Sequence, residues 1–243
     1  MKLVRFLHED KVYNGALDGD EVTAENLGVI RLNEIKLLAP CTPSKIVLAG
    51  LNYKDHALEL GMGVPDEPII FIKPPTSIIG PGEPIIYPPA SSRVDYEAEL
   101  AVVIKTEAKN VSDEDADSCI LGYTCLNDVT ARDIQKQDVQ WTRSKSYDTF
   151  APLGPWIETD IDPSGLNIRS YVNGQVRQDS NTSEFIFGIP KLIEFISSVM
   201  TLVPGDVIST GTPAGVGEVK VGDEVTVEIE GIGRLTNYVE RVK

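Results

Sequence analysis

Two glutamates one residue apart, Glu97 and Glu99, open the run Asp95-Tyr96-Glu97-Ala98-Glu99-Leu100-Ala101-Val102-Val103-Ile104. The run ends in branched apolar residues and predicts a strand entering a core. Strand side chains alternate, so both glutamates point to one face while Tyr96, Ala98 and Leu100 point to the other. Neighbouring carboxylates at the mouth of a core repel each other and resist desolvation, and a cation between them relieves both penalties. Because every donor is oxygen, a hard ion such as Mg²⁺ suits the pair better than zinc. The same spacing also fits two exposed acids on an edge strand.

Asp128 is a third carboxylate. Cys119-Ile120-Leu121-Gly122-Tyr123-Thr124-Cys125-Leu126 reads as an apolar strand, Asn127-Asp128 interrupts it, and Ala131 to Lys136 reads as a short polar helix. Asp128 therefore falls at a strand end, where functional groups can be exposed. A helix N-cap, or an i,i+4 partner for Arg132, fits the same position.

With only His8 and His56 in the chain, a multi-histidine metal site is excluded, and with it most zinc hydrolase designs. His8 lies near a turn and is expected to be solvent-exposed. His56 sits in Tyr53-Lys54-Asp55-His56-Ala57-Leu58-Glu59-Leu60; in a helix, Glu59 shares its face three residues on. A carboxylate beside an imidazole raises its basicity and fixes its tautomer, as a general base requires. An inconsequential surface pair has the same spacing. Lys145 lies in Trp141 to Pro155, a stretch without structural period that reads as a loop, where a lysine could neutralise an enolate or simply be solvated. The turn Thr210-Gly211-Thr212-Pro213-Ala214-Gly215-Val216-Gly217 offers hydroxyls and backbone amides suited to an anion, or an ordinary connection between strands. It lacks the Gly-Lys-Ser/Thr ending of a P-loop, which argues against nucleotide binding.

These groups must be positioned by a β-rich framework. A length of 243 residues allows one large domain with an appendage, and a net charge of −15 argues against nucleic acid or an anionic membrane as partner. Three cysteines, an odd count without CxxC spacing, argue against a disulfide framework. The N-terminus has no signal-peptide pattern and no run reaches transmembrane length, so a cytoplasmic location is expected. Residues 1–43 read as a small β appendage, with strands at Lys2–Phe6 and Lys11–Leu17, closed by Pro40 and Pro43; the main domain is expected over 44–243. A helix is expected from Tyr53 to about Leu60, stopped by Gly61, and a short strand over Ile69–Ile72. Only two longer helices are expected, from Ala131 and over Ile189–Met200, giving an α+β class dominated by strand.

Over about residues 44–243 the chain resembles the fumarylacetoacetate hydrolase family. The motifs, in order, are Gly50-Leu51-Asn52-Tyr53-Lys54-Asp55-His56, Asp95 to Glu99, Asn127 to Asp133, Lys145 to Pro155 and Thr210 to Gly217. The resemblance implies a mixed β-roll and a divalent cation, Mg²⁺, Mn²⁺ or Ca²⁺, on Glu97, Glu99 and Asp128. It implies substrate contacts at Arg132, Gln135 and Thr212, a cationic Lys145, a His56–Glu59 pair on a mobile lid, and a homodimer. Three carboxylates leave about three of six octahedral positions open, two of which a 2-oxo acid can fill. The implied reactions are hydrolysis of an acylpyruvate or decarboxylation of oxaloacetate through a metal-bound enolate. Isomerisation of 2-hydroxyhepta-2,4-diene-1,7-dioate, or decarboxylation of 5-carboxymethyl-2-oxo-hex-3-ene-1,7-dioate, is the alternative. A non-catalytic metal-binding scaffold is the reading from another class.

Overall fold

The apolar strand Ala98–Ile104 lies inside a twelve-stranded sheet. In the computed structural model, which describes residues 1–241, it pairs antiparallel with Ile120–Asn127 on one side and Val207–Ser209 on the other. The sheet continues through Ile46–Gly50 to an edge at Ile69–Lys73, and through Ala151–Glu158 to Lys2–His8. Positions 242 and 243 of the expected main domain lie outside the described residues.

Every residue of Ala98–Ile104 is buried because both faces of the sheet are covered, so the run shows no polar alternation. Leu100, Val102 and Ile104 face one core, shared with Ile168, Val227, Ile229 and Leu235 of a second, five-stranded sheet. Ala101 and Val103 face the opposite core, with Ile46, Leu48, Leu126 and Leu153. Each large apolar side chain withdrawn from water contributes about 1.5–3 kcal/mol.

The expected strand from Asp95 to Ile104 is broken at Glu97. Val94–Tyr96 joins a three-stranded sheet with Thr130–Ala131 and Gly217–Val219, and the chain changes sheets at the glutamate. There the Glu97 amide donates to Asn127 Oδ1 at 2.9 Å, and the Glu97 carbonyl accepts from the Asp128 amide at 2.9 Å. Side-chain and loop partners thus replace a regular ladder.

Four α-helices occur among the described residues: α1 (Lys54–Leu60), α2 (Arg132–Gln137), α3 (Thr142–Lys145) and α4 (Ile189–Val199). Gly61 stops α1 with φ 63°, a conformation open to glycine. In α4, Pro190 occupies the first turn while Ile189, Leu192, Ile193 and Ile196 are buried in the first core. α3 corrects the loop expected around Lys145: a single turn is too short to show a period. The N-terminal strands form a meander with its own cluster of Val4, Phe6, Leu17, Val22 and Ala24, and Lys2 pairs with Glu158 of the main sheet. No helix among the described residues is long and apolar enough to cross a membrane.

Candidate active site and metal centre

The change of sheet at Glu97 aims both glutamates at the end of the Ile120–Asn127 strand, where Asp128 follows. One oxygen from each of Glu97, Glu99 and Asp128 lies within 4.8 Å of the others, and the three residues are 5%, 1% and 1% exposed. They share a cavity of about 350 Å³ with His56, Arg132, Gln135, Lys145 and Thr212. Eight of the nine side chains singled out from the sequence therefore line one cavity; the ninth, Glu59, stands behind His56 and outside that lining.

Cations hold two of the three carboxylates. Lys145 Nζ bridges Glu97 Oε2 (2.7 Å) and Asp128 Oδ2 (2.5 Å), and Arg132 pairs with Glu97 Oε1. Burial opposes the charge on Glu97, but Lys145 and Arg132 outweigh it and hold the carboxyl well below its usual range. Glu99 has no cationic partner among the described residues; its Oε2 accepts from the Ser209 hydroxyl and from the Gly211 amide at 3.0 Å. Burial, then the charges of Asp128 and Glu97, push its carboxyl well above the usual range. A divalent cation would remove that repulsion. The donor set fits one: three buried oxygen ligands, each oxygen with lone pairs beyond its present contacts. The unpaired acidic excess at Glu99 is the observation that favours a cation.

Lys73, fully buried at the end of the Ile69–Lys73 strand, escaped the sequence reading. Its Nζ pairs with Asp128 Oδ1 at 2.5 Å and also donates to the Val129 carbonyl (3.0 Å) and the Phe150 carbonyl. Burial lowers the Lys73 pKa, with Lys145 adding to it, although Asp128 opposes them; at Lys145, Asp128 and Glu97 overcome burial and raise it. The two ammonium groups differ in acidity across one carboxylate. A signal for Lys73 did exist: period-two alternation places it with Ile69 and Phe71, which line the cavity.

Asp95 and Gln178 were also missed. Asp95 accepts from Arg93 Nε (2.8 Å) and Arg132 Nε (2.9 Å), which fixes the Arg132 guanidinium against Glu97. Arg132 Nη1 donates to Gln135 Oε1 at 2.6 Å. Arg132 does not pair with Asp128 as the i,i+4 spacing allowed. Gln178 accepts from the Ala98 amide and donates to Thr212 Oγ1 (2.8 Å), locking the hydroxyl that in turn donates to the Ala98 carbonyl.

His56 stands on α1 with its Nδ1 2.9 Å from Glu59 Oε2. With Nδ1 donating to the carboxylate, Nε2 is left as the proton-accepting nitrogen. The Gly-rich turn holds anions, but they are the protein's own: the Gly211 amide binds Glu99, and the Gly215 amide binds Glu59 at 3.1 Å. Both need glycine. Gly211 has φ 92° and a Cβ there would meet Asn52 Cβ at 2.9 Å; Gly215 has φ 94° and would strike the Arg177 carbonyl at 2.5 Å.

Comparison with known proteins matches residues 45–240 to the family described as fumarylacetoacetate (FAA) hydrolase C-terminal. The mitochondrial oxaloacetate tautomerase fahd2 of Xenopus laevis is 47% identical over 227 residues, 88% of this chain and 71% of that one. The crystal structure of 2-hydroxyhepta-2,4-diene-1,7-dioate isomerase from Mycobacterium marinum is 45% identical, with a TM-score of 0.92, covering 99% of this chain and 98% of that one. Maleylpyruvate hydrolase from Sphingobium sp. SYK-6, solved in complex with manganese (II) ion and pyruvate, is 30% identical, with a TM-score of 0.86 and full coverage of both chains. The relatives include a tautomerase, an isomerase and a hydrolase.

Proposed function

We propose a function from one premise: the chain belongs to the fumarylacetoacetate hydrolase family and is an enzyme. We infer that it acts on 2-oxo acids with a divalent cation, Mg²⁺ first, held by Glu97, Glu99 and Asp128. The observation that carries this is the meeting of three carboxylates, Lys145 and His56, itself held by Glu59, in one cavity. When bound, such a cation supplies Lewis-acid polarisation of a carbonyl.

The chain's own groups then divide the work. Arg132, Gln135 and Thr212 bind and orient the acid. Lys145, kept charged by Asp128 and Glu97, places an ammonium where negative charge develops. His56 Nε2 takes a proton from water or from substrate carbon, and Glu59 stabilises the imidazolium that results. The same apparatus serves hydrolysis of an acylpyruvate, or decarboxylation or tautomerisation of oxaloacetate. Likeness to the M. marinum structure supports dienedioate isomerisation as a second reading.

The proposal extends to a cytoplasmic homodimer in which residues 44–243 carry catalysis and 1–43 form a smaller unit. The unpaired edge strand Ile69–Lys73, with Ile69 40% and Ile72 41% exposed, supports association of two copies. The test is turnover of oxaloacetate and acetylpyruvate with Mg²⁺ and again after EDTA. Metal-dependent consumption of either is expected; inertness of both, with Mg²⁺ bound by calorimetry, favours the scaffold reading.

A further inference from the structure

The cations around the cavity are not equivalent. Lys73, Arg132 and Lys145 are each paired with a site carboxylate, as described above. Lys136 also lines the cavity, yet it has no carboxylate partner among the described residues. The acids nearest it in sequence are engaged elsewhere: Asp133 accepts from Ser91 and Ser92, and Asp138 pairs with Arg143. Lys136 is exposed on α2, four residues after Arg132, so it shares that residue's face one turn further along the helix, about 6 Å away. Next to it, Gln135 gives its carbonyl to Arg132, which leaves its amide N–H groups as donors. The remaining wall is apolar: Leu51, Leu60, Met62, Ile69, Phe71 and Trp141. This part of the cavity therefore offers hydrogen-bond donors and an unneutralised charge, and no acceptor from α2.

We propose that Lys136, with the Gln135 amide, binds the distal carboxylate of the substrate, so that the enzyme selects 2-oxo acids with an anion at both ends. This rests on the 2-oxo acid reading and narrows it, favouring oxaloacetate and longer dioates over acylpyruvates with uncharged tails. An exposed lysine pays little for desolvation, so the preference is modest and falls as salt rises.

Calorimetry with 2-oxoadipate and 2-oxohexanoate in the presence of Mg²⁺ tests it, since these six-carbon acids differ only in the distal carboxylate. The native protein is expected to bind 2-oxoadipate about five- to tenfold more tightly. In Lys136→Gln that ratio falls to about twofold or less, and in Lys136→Arg it persists. A native protein without the preference, or a preference that survives in Lys136→Gln, overturns the assignment while leaving the 2-oxo acid reading intact. Failure of the native protein to bind either acid, together with inertness toward oxaloacetate, overturns that reading itself and the assignment with it.

Discussion

Two of the places where this molecule buries carboxylates are built in opposite ways. Asp206 is fully buried and saturated by its own chain. Its Oδ1 accepts from the Ser44 amide (2.9 Å), the Ser44 hydroxyl (2.7 Å) and the Lys45 amide (3.3 Å); its Oδ2 accepts from the Val203 amide (2.9 Å) and pairs with Lys45. Among the described residues no second acid shares those bonds. At the other place three acids crowd together, and Glu99 has no cationic partner among the described residues. A buried anion that the chain satisfies completely holds the fold together. Anions left with shared charge and spare lone pairs are arranged for something outside the chain.

Substitutions can break that contrast, and the largest effect belongs to the crowded site. Glu99→Gln should weaken Mg²⁺ binding by at least about a hundredfold and abolish metal-dependent turnover. Its metal-free melting temperature should hold or rise, because a like charge has been removed from a buried cluster. Calorimetry and a thermal melt on the same sample check both halves. His56→Asn should keep metal affinity and lower turnover by about 10² to 10⁴-fold on any substrate that needs proton transfer.

The reverse pattern is expected at the saturated site. Asp206→Asn should destabilise the fold by about 3 kcal/mol in denaturant titration and leave turnover per folded molecule unchanged. The same residue sets a smaller, pH-dependent effect. Burial resists its charge, yet Lys45, the Val203 amide and Ser44 outweigh burial and hold the carboxyl below its ordinary 3.8. Its stabilisation is complete above the unfolded value and is lost as pH falls through the lower folded one. Acid unfolding below about pH 4 should therefore be shallower in Asp206→Asn than in the native protein.

The crowded site was readable in sequence because each acid violates a pattern. Glu97 and Glu99 interrupt the approach to an apolar strand, and Asp128 ends another. Lys73 carries the same kind of violation, a charge in phase with Ile69 and Phe71, but it stands alone in sequence and has no nearby partner to draw notice. Asp95 and Gln178 take their meaning from partners distant in sequence, Arg132 for one and Ala98 and Thr212 for the other. Local pattern carries no record of such pairings. The fold class followed from strand periodicity and turn residues; the break at Glu97 did not, because only the second sheet reveals that the strand must divide. The anion-holding chemistry of the Gly-rich turn was legible, while the identity of its anions, Glu99 and Glu59, depended on tertiary contact.

The hydrogen bond from Gly211 to Glu99 joins positions 112 residues apart, and it has a consequence for biosynthesis. The carboxylates emerge from the ribosome well before the turn that anchors one of them. At about 5–20 residues per second, several seconds separate the two events. Until residue 212 is free to fold back, Glu99 has neither Ser209 nor Gly211, and the carboxylate cluster is not yet shaped. Capture of a cation by these carboxylates would therefore have to wait for synthesis of that turn, and a nascent polypeptide that stops short of it presents no finished site at which a wrong ion could be trapped.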